Sequence, residues 1–451
     1  MWHALLWLAA TVCGAAPQAE AAHAGPQSLR VAVFRADVTP PPGAFHGGWN
    51  QALVPVEEPL WAKGVVLDDG RIRCVLCALD WCTLSNGSHT MFRQKLAAAA
   101  GVEPRFVVVH CVHQHTAPSV NGDVQRLLDT QPNPPKIADL AALEAIAQRV
   151  AAAVKDSLGR LEAVDSVGLG EARVERVAAT RRVMGPDGKI RVRWSACTDP
   201  ALRAEPEGLI DPVLRTITLA RGDTPVVRLH YYATHPQSRG NDGRICNDFP
   251  GMARDRLEAA QGVPQIYFTG CAGDVTAGKY NDGSPEAQQQ LAQRMQAAME
   301  AAIRATRYHP ASPLEWRTLP IRLPLRREVA AEEENRRVLA DPKATTAARA
   351  SAAGRLAFAA RQNQPIELVL LRIGPAFVLH LPGEPMVEFQ LYAQRLVPKR
   401  FLAVAGYGDG GTGYICTAKA HSEGGYEPGA SRIAPEGETV LKKALAQLLA
   451  P

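Results

Sequence analysis

Three short apolar runs in this chain each end abruptly in metal-ligand side chains, and this restricts the fold more than any other feature. Arg105-Phe-Val-Val-Val109 leads into His110-Cys-Val-His-Gln-His115. Val226-Val-Arg-Leu-His-Tyr-Tyr232 leads into Ala233-Thr-His-Pro236, and Ala376-Phe-Val-Leu-His-Leu381 leads into Pro382-Gly-Glu-Pro385. Runs of this length and composition read as buried strands. Polar groups gathered just beyond such strands are where α/β enzymes place their chemistry. Histidines from the first two segments and Glu384 from the third match the ligand set of a catalytic zinc with an open position.

His113 and His115 are two apart, so in an extended segment they share a face and both can approach one metal. His235 stands just beyond its strand and before Pro236, which sets it apart from a core histidine. His110, His230 and His380 fall within strands and are expected in the core. Glu384 and Asp274 are strand-end carboxylates, and a buried carboxylate needs a cation or a donor. Asp274 reads either as support for a ligand loop or as an Asx-turn residue. The glycine-rich stretch Gly406-Tyr-Gly-Asp-Gly-Gly-Thr-Gly-Tyr414 lacks the Lys-Ser/Thr ending of a phosphate loop. Close backbone approach to a site explains its glycines better.

Strand and helix patterns interleave along the whole chain. Hairpins are expected around Asp68-Asp-Gly70, Gly222-Asp223 and Gly374-Pro375. Amphipathic helices are expected over 91–100, 137–158, 248–260 and 285–308, and in the tail after 435. Residues 331–362 read as a peripheral helical pair. No repeat or linker divides the pattern. The expected fold is α/β: one mixed-sheet domain flanked by helices, from about residue 28 to 451, with the active site at strand C-terminal ends.

The bulk numbers exclude some functions. In 451 residues the net charge is +5, and no Lys/Arg block occurs. Nucleic-acid binding therefore has no support, although peripheral membrane contact stays open. No run after the N-terminus reads as a transmembrane helix. Leu5-Leu-Trp-Leu-Ala-Ala-Thr-Val12 is apolar, too short to span a bilayer, and followed by small residues. Residues 1–24 are expected to be a signal peptide, which makes the protein secreted or periplasmic. Nine cysteines fall to eight without the leader's Cys13. Cys74-Val-Leu-Cys77 lies in an apparent strand, where core packing is expected ahead of a redox or metal role.

Taken in order, these motifs resemble the neutral/alkaline non-lysosomal ceramidase family. Asp37-Val-Thr-Pro40 is similar to the start of its catalytic domain, followed by Pro59-Leu-Trp-Ala-Lys-Gly64 and Leu79-Asp-Trp-Cys82. His113-Gln-His-Thr-Ala-Pro118 resembles the family's His-Thr-His-Ser-Gly-Pro, and Thr180-Arg-Arg182 its Asn-Arg element. Ala233-Thr-His-Pro236, Asp248-Phe-Pro-Gly251, Gly273-Asp-Val-Thr276 and Pro382-Gly-Glu384 follow in order. Tyr414 and Tyr426, twelve residues apart, match a tyrosine pair at that spacing.

The resemblance implies a Zn2+ held by His113, His235, Glu384 and Tyr414. It implies that His115, Arg181 and Tyr426 face the substrate or its developing oxyanion; Arg182, the neighbour of Arg181, is expected to be nearly silent. Thr276 stands where the family has serine, so a covalent role there is not expected. The family's C-terminal β-sandwich has no counterpart before residue 451. The implied activity is hydrolysis of a lipid amide such as an N-acylsphingosine. A zinc hydrolase of another ester or small-molecule amide, and a non-catalytic binding protein on the same fold, remain the alternatives.

Overall fold

The hairpins expected from the sequence are all present in the computed structural model, which describes residues 28–46, 52–239 and 242–450. The expected leader, with Cys13, lies outside the described residues. Gly222 and Gly374 occupy the left-handed region at φ 59° and 58°, where a side chain is strained, and so permit two of the turns. In the third turn, Asp68 accepts from the Gly70 amide, and Asp69 accepts from those of Arg71 and Ile72.

The strands do not join into one mixed sheet. They form three main sheets of five, five and four strands, with small two-stranded pairs between them. The three share one topology. In the first unit Arg30–Asp37, Trp61–Asp68 and Arg73–Leu79 run antiparallel; helix Gly87–Ala100 then crosses to Val107–Cys111, parallel to the third strand. The second unit repeats this with Ser166–Arg173, Val213–Arg221, Thr224–Tyr232, helix Asp248–Gln261 and Gln265–Thr269. The third uses Glu315–Ile321, Ile366–Ile373, Ala376–His380, helix Val387–Leu396 and Phe401–Ala405. A closing helix in each unit packs on the crossover helix and the first strand: Leu140–Ser157, Pro285–Arg304 and Gly437–Leu449. The chain is therefore a threefold structural repeat, contrary to the reading of no repeat. Backbone topology carries it, while the side chains have diverged beyond a recognisable sequence period.

Each unit buries both faces of its sheet. In the first, Val31, Leu67, Cys74 and Leu76 enter a core shared by all three sheets, while Ala32, Phe34, Val75 and Cys77 meet the unit's own helices. Cys74 and Cys77, three apart on a strand, thus point to opposite faces and cannot act together. All eight described cysteines are free and buried.

The fourth strands of the three units are stitched together at their C-terminal ends. His110 Nδ1 donates to the Gly406 carbonyl (2.7 Å), and its Nε2 accepts from the Thr269 amide (3.0 Å). The Gly406 amide donates to Thr269 O, and the Cys111 amide to Tyr407 O. Burial lowers the His110 pKa to about 3, so it stays neutral in this core role. The loops that leave these strand ends meet at one place.

The helical pair is Glu332–Ala340 and Thr346–Ala360. The first helix is largely exposed, as expected, and buries only Asn335 and Leu339; the second is not peripheral. It packs on helix Gly122–Asp129, and Ala350 and Gly354 form a wall of the cleft above Glu384. Its alanine-rich face carried no sign of that neighbour.

Candidate metal centre

His113 follows the fourth strand of the first unit, His235 the third strand of the second, and Glu384 the third strand of the third. His113 Nε2 lies 3.2 Å from His235 Nε2 and 3.2 Å from Glu384 Oε2, and His235 Nε2 lies 3.4 Å from that oxygen. A tetrahedral ion with bonds of about 2.0–2.1 Å sets its ligand atoms about 3.3–3.4 Å apart. The triangle matches that edge length.

The histidine tautomers agree with this. His113 Nδ1 donates to Cys82 O (2.7 Å) and His235 Nδ1 to Ala272 O (2.6 Å). Both neutral rings therefore turn an Nε2 lone pair toward the centre. Glu384 Oε2 is buried and, among the described residues, has no hydrogen-bond donor other than a protonated imidazole. Burial disfavours charge on His113, yet the Glu384 carboxylate overrides it and pushes that pKa up to about 10. Burial takes His235 down to about 4. Burial would raise Glu384, but His113 holds it well below the usual carboxylate range. A buried carboxylate facing two imidazole nitrogens needs a cation between them.

His115 does not join this triangle. His113 has a left-handed backbone at φ 77°, so the segment is not extended and the rings of His113 and His115 stand perpendicular, 5.1 Å apart. Cys82, His113 and His115 also bring ligand-type atoms close together. His113 Nδ1 already carries the proton given to Cys82 O, so that trio offers a metal only two donors. Both ring nitrogens of His115, and both amide atoms of Gln114, are buried without partners among the described residues.

Tyr414 is held beside the triangle. Its backbone pairs with Glu384, its ring lies 6.4 Å from that of His235, and its hydroxyl oxygen accepts from Arg181 Nη2 (3.2 Å). Arg181 is buried and also donates to Glu427 Oε1 (2.9 Å) and to the Gly273 carbonyl. Its guanidinium carbon lies 5.1 Å from the ring centre of Tyr426. Gly424 and Gly425, at φ 71° and 98°, deliver Tyr426 against Tyr414 at 5.7 Å. Arg182 is not bland. Its Nη1 donates to Glu427 Oε2 (2.8 Å), so the two arginines share one fully buried carboxylate.

Asp274 and Thr276 lie beside the triangle in the chain that follows Gly273. Asp274 Oδ1 accepts from the Val387 amide at the start of a crossover helix, and burial pushes its pKa up to about 6. Gly273 donates to Pro385 O, and a Cβ on it would meet Glu384 O at 2.5 Å. Gly273→Ala is therefore expected to push the Glu384 loop outward. Affinity for a divalent metal should fall about 10–100-fold, as when the partner that orients a metal-binding side chain is lost, measured by competition with a chromogenic chelator. The fully buried Thr276 hydroxyl contacts Arg193 O and the Gly278 amide. Thr276→Ala should cost about 1 kcal/mol of stability and keep activity within a few fold, read from melting curves and turnover.

Two residues escaped the sequence reading. Tyr407 stacks on His113 (4.2 Å between ring centres), with its hydroxyl 3.3 Å from His235 Nδ1. It stands two residues past the strand Phe401–Ala405, as His113 stands two past Val107–Cys111, and it too has positive φ. Strand-end position was the available signal. Glu427 had a weaker one: a carboxylate beside Tyr426 whose arginine partners lie some 246 positions away.

The chain superposes on the crystal structure of neutral ceramidase from Pseudomonas aeruginosa with a TM-score of 0.69 and 16% identity, over 94% of this chain and 74% of that one. The fold is ceramidase-like. A second solved structure, described as ceramidase complexed with C2, matches at TM-score 0.69 and 14% identity, over 94% and 75% of the two chains. No protein-family profile and no curated protein matches the sequence. Within this ceramidase-like fold the triangle opens, through Glu384, onto a cleft of about 350 Å³. Thr83, Ser85, Ser119 and Asn121 line it together with Tyr414 and Tyr426.

Proposed function

We propose that this protein is a zinc-dependent amidohydrolase acting through His113, His235, Glu384 and Tyr414. The observation that carries this reading is the 3.2–3.4 Å triangle of two Nε2 atoms and one carboxylate oxygen. A zinc ion there supplies Lewis acidity and lowers the pKa of water to about 7. The protein's own groups do the rest. Arg181 and Tyr426 oppose the negative charge that develops on the carbonyl oxygen. His115, with both nitrogens unpaired, passes a proton to the departing amine. Asp274 and Gly273 hold the Glu384 loop.

The fold likeness supports a lipid amide such as an N-acylsphingosine, and the polar cleft lining favours a second reading, a more polar amide. The test is a panel of fluorogenic N-acylsphingosines, short polar amides and simple esters, each with and without chelator. Chelator-sensitive amide cleavage is expected. Turnover untouched by chelator after verified metal removal would overturn the zinc reading.

Secretion or periplasmic export is part of the same proposal. It is supported by the apolar leader sequence and compatible with the absence, among the described residues, of any helix long and apolar enough to cross a membrane. Fractionation of a tagged full-length chain tests it; cytoplasmic retention would count against it.

A further inference from the structure

The cleft above Glu384 contains one arginine, Arg432, and no carboxylate other than Glu384 among the described residues. Arg432 Nη1 donates to the Gly411 carbonyl at 2.7 Å. No other bond from its guanidinium, and no ion pair, occurs among the described residues. The other buried arginines near the site each hold a carboxylate or a set of backbone carbonyls. Arg181 and Arg182 share Glu427, Arg361 is bound to Asp409, and Arg193 is saturated by the carbonyls of Thr180, Leu202, Glu205 and Pro206.

The surroundings of Arg432 add no negative charge to spare. Asp409 is already engaged by Arg361, and Glu384 faces the metal centre. Arg355, close enough to be felt, bonds only to Asn335 and Ser351 and brings another positive charge. Space is reserved for the guanidinium: a Cβ on Gly354, within helix Thr346–Ala360, would stand 3.0 Å from Arg432 Nη2. A glycine inside a helix costs about 1 kcal/mol relative to alanine, so this one fits a close-approach role.

Resting on the hydrolase reading above, we infer that Arg432 is an anion-binding subsite, and that the amide cleaved at Glu384 carries a carboxylate or phosphate group away from the scissile bond. A planar guanidinium matches either oxyanion in two parallel hydrogen bonds. An N-acylsphingosine has no such group.

The test uses the zinc-loaded full chain and matched amides. N-hexanoylglycine and N-hexanoylaminomethylphosphonate are compared with neutral N-hexanoylglycinamide, and glutaryl-4-nitroanilide with pentanoyl-4-nitroanilide. At least one anionic member should exceed its neutral match in kcat/KM by about ten- to hundredfold. The preferred member tells carboxylate from phosphate. Arg432→Gln keeps a donor for Gly411 and should bring the ratio to within about twofold. Arg432→Lys, a second folded variant, should fall between.

Equal rates for anionic and neutral amides in the native protein would overturn the inference. So would a preference that survives Arg432→Gln at unchanged zinc content and melting temperature. If no amide is cleaved, the hydrolase reading fails, and equilibrium binding of the same compounds decides the subsite separately. Tighter binding of the anions, lost in Arg432→Gln, sustains it; equal binding sinks it.

Discussion

His235→Ala is expected to abolish both zinc binding and amide hydrolysis. The native chain should hold one zinc per molecule by elemental analysis, and the variant none. His235 Nε2 is one corner of a triangle whose sides are 3.2–3.4 Å, and its Nδ1 is committed to Ala272 O, so no nearby group replaces it. The loss should exceed the roughly 10–100-fold that removal of a ligand's orienting partner costs. Glu384→Gln is the sharper companion, because it keeps the shape and removes the charge that draws a cation between two imidazoles. A ligand that binds only the folded state stabilises it by about 2.7 kcal/mol at a hundredfold excess over Kd. Chelator should therefore lower the melting temperature of the native protein and leave that of His235→Ala unmoved. A His235→Ala protein that kept stoichiometric zinc and turnover would remove the basis for the proposed centre.

The second large effect belongs to Arg181. Arg181→Met should lower kcat by about 10²–10³, the usual cost of losing a donor to a developing oxyanion, with zinc content unchanged. A purely structural account is testable, because Arg181 is also half of a buried ion-pair cluster. Its removal leaves Glu427 with Arg182 alone, and breaking a buried pair typically costs about 3–5 kcal/mol. Arg181→Met/Glu427→Gln removes the orphaned charge. It should recover much of the stability and none of the kcat. Recovery of both together would make Arg181 a structural residue only. Tyr426→Phe should share the fall in kcat with little loss of stability, since its exposed side meets the cleft. Arg182→Ala, expected from sequence to be silent, should instead be destabilising, because Arg182 binds both Glu427 and Glu423.

Much of this site was legible because its signals are local. A buried strand is a short apolar run, and a ligand is a polar side chain just past its end. His113, His235 and Glu384 all follow that rule within a few residues. Arg181 and Tyr426 were legible only through the family likeness, since neither stands beside a long strand. Tyr407 obeyed the strand-end rule and was missed because tyrosine is not a usual ligand type. Glu427 and Arg432 gave little signal, because pairing or its absence is decided by residues far along the chain.

By itself the sequence determined most of the element types and their approximate bounds, and it singled out His113, His235 and Glu384 as candidate metal ligands. These follow from periodicity and side-chain chemistry, which act over a few residues. Only the tertiary structure decided that the strands divide into three repeated sheets instead of one. It also decided which nitrogen of each histidine faces the centre, that His115 stands aside from it, and that helix Thr346–Ala360 walls the cleft. Among the described residues it left Arg432 without a carboxylate while Arg181 and Arg182 share one. The reason is physical. Strand pairing, tautomer choice and charge compensation depend on through-space neighbours that one stretch of sequence does not contain.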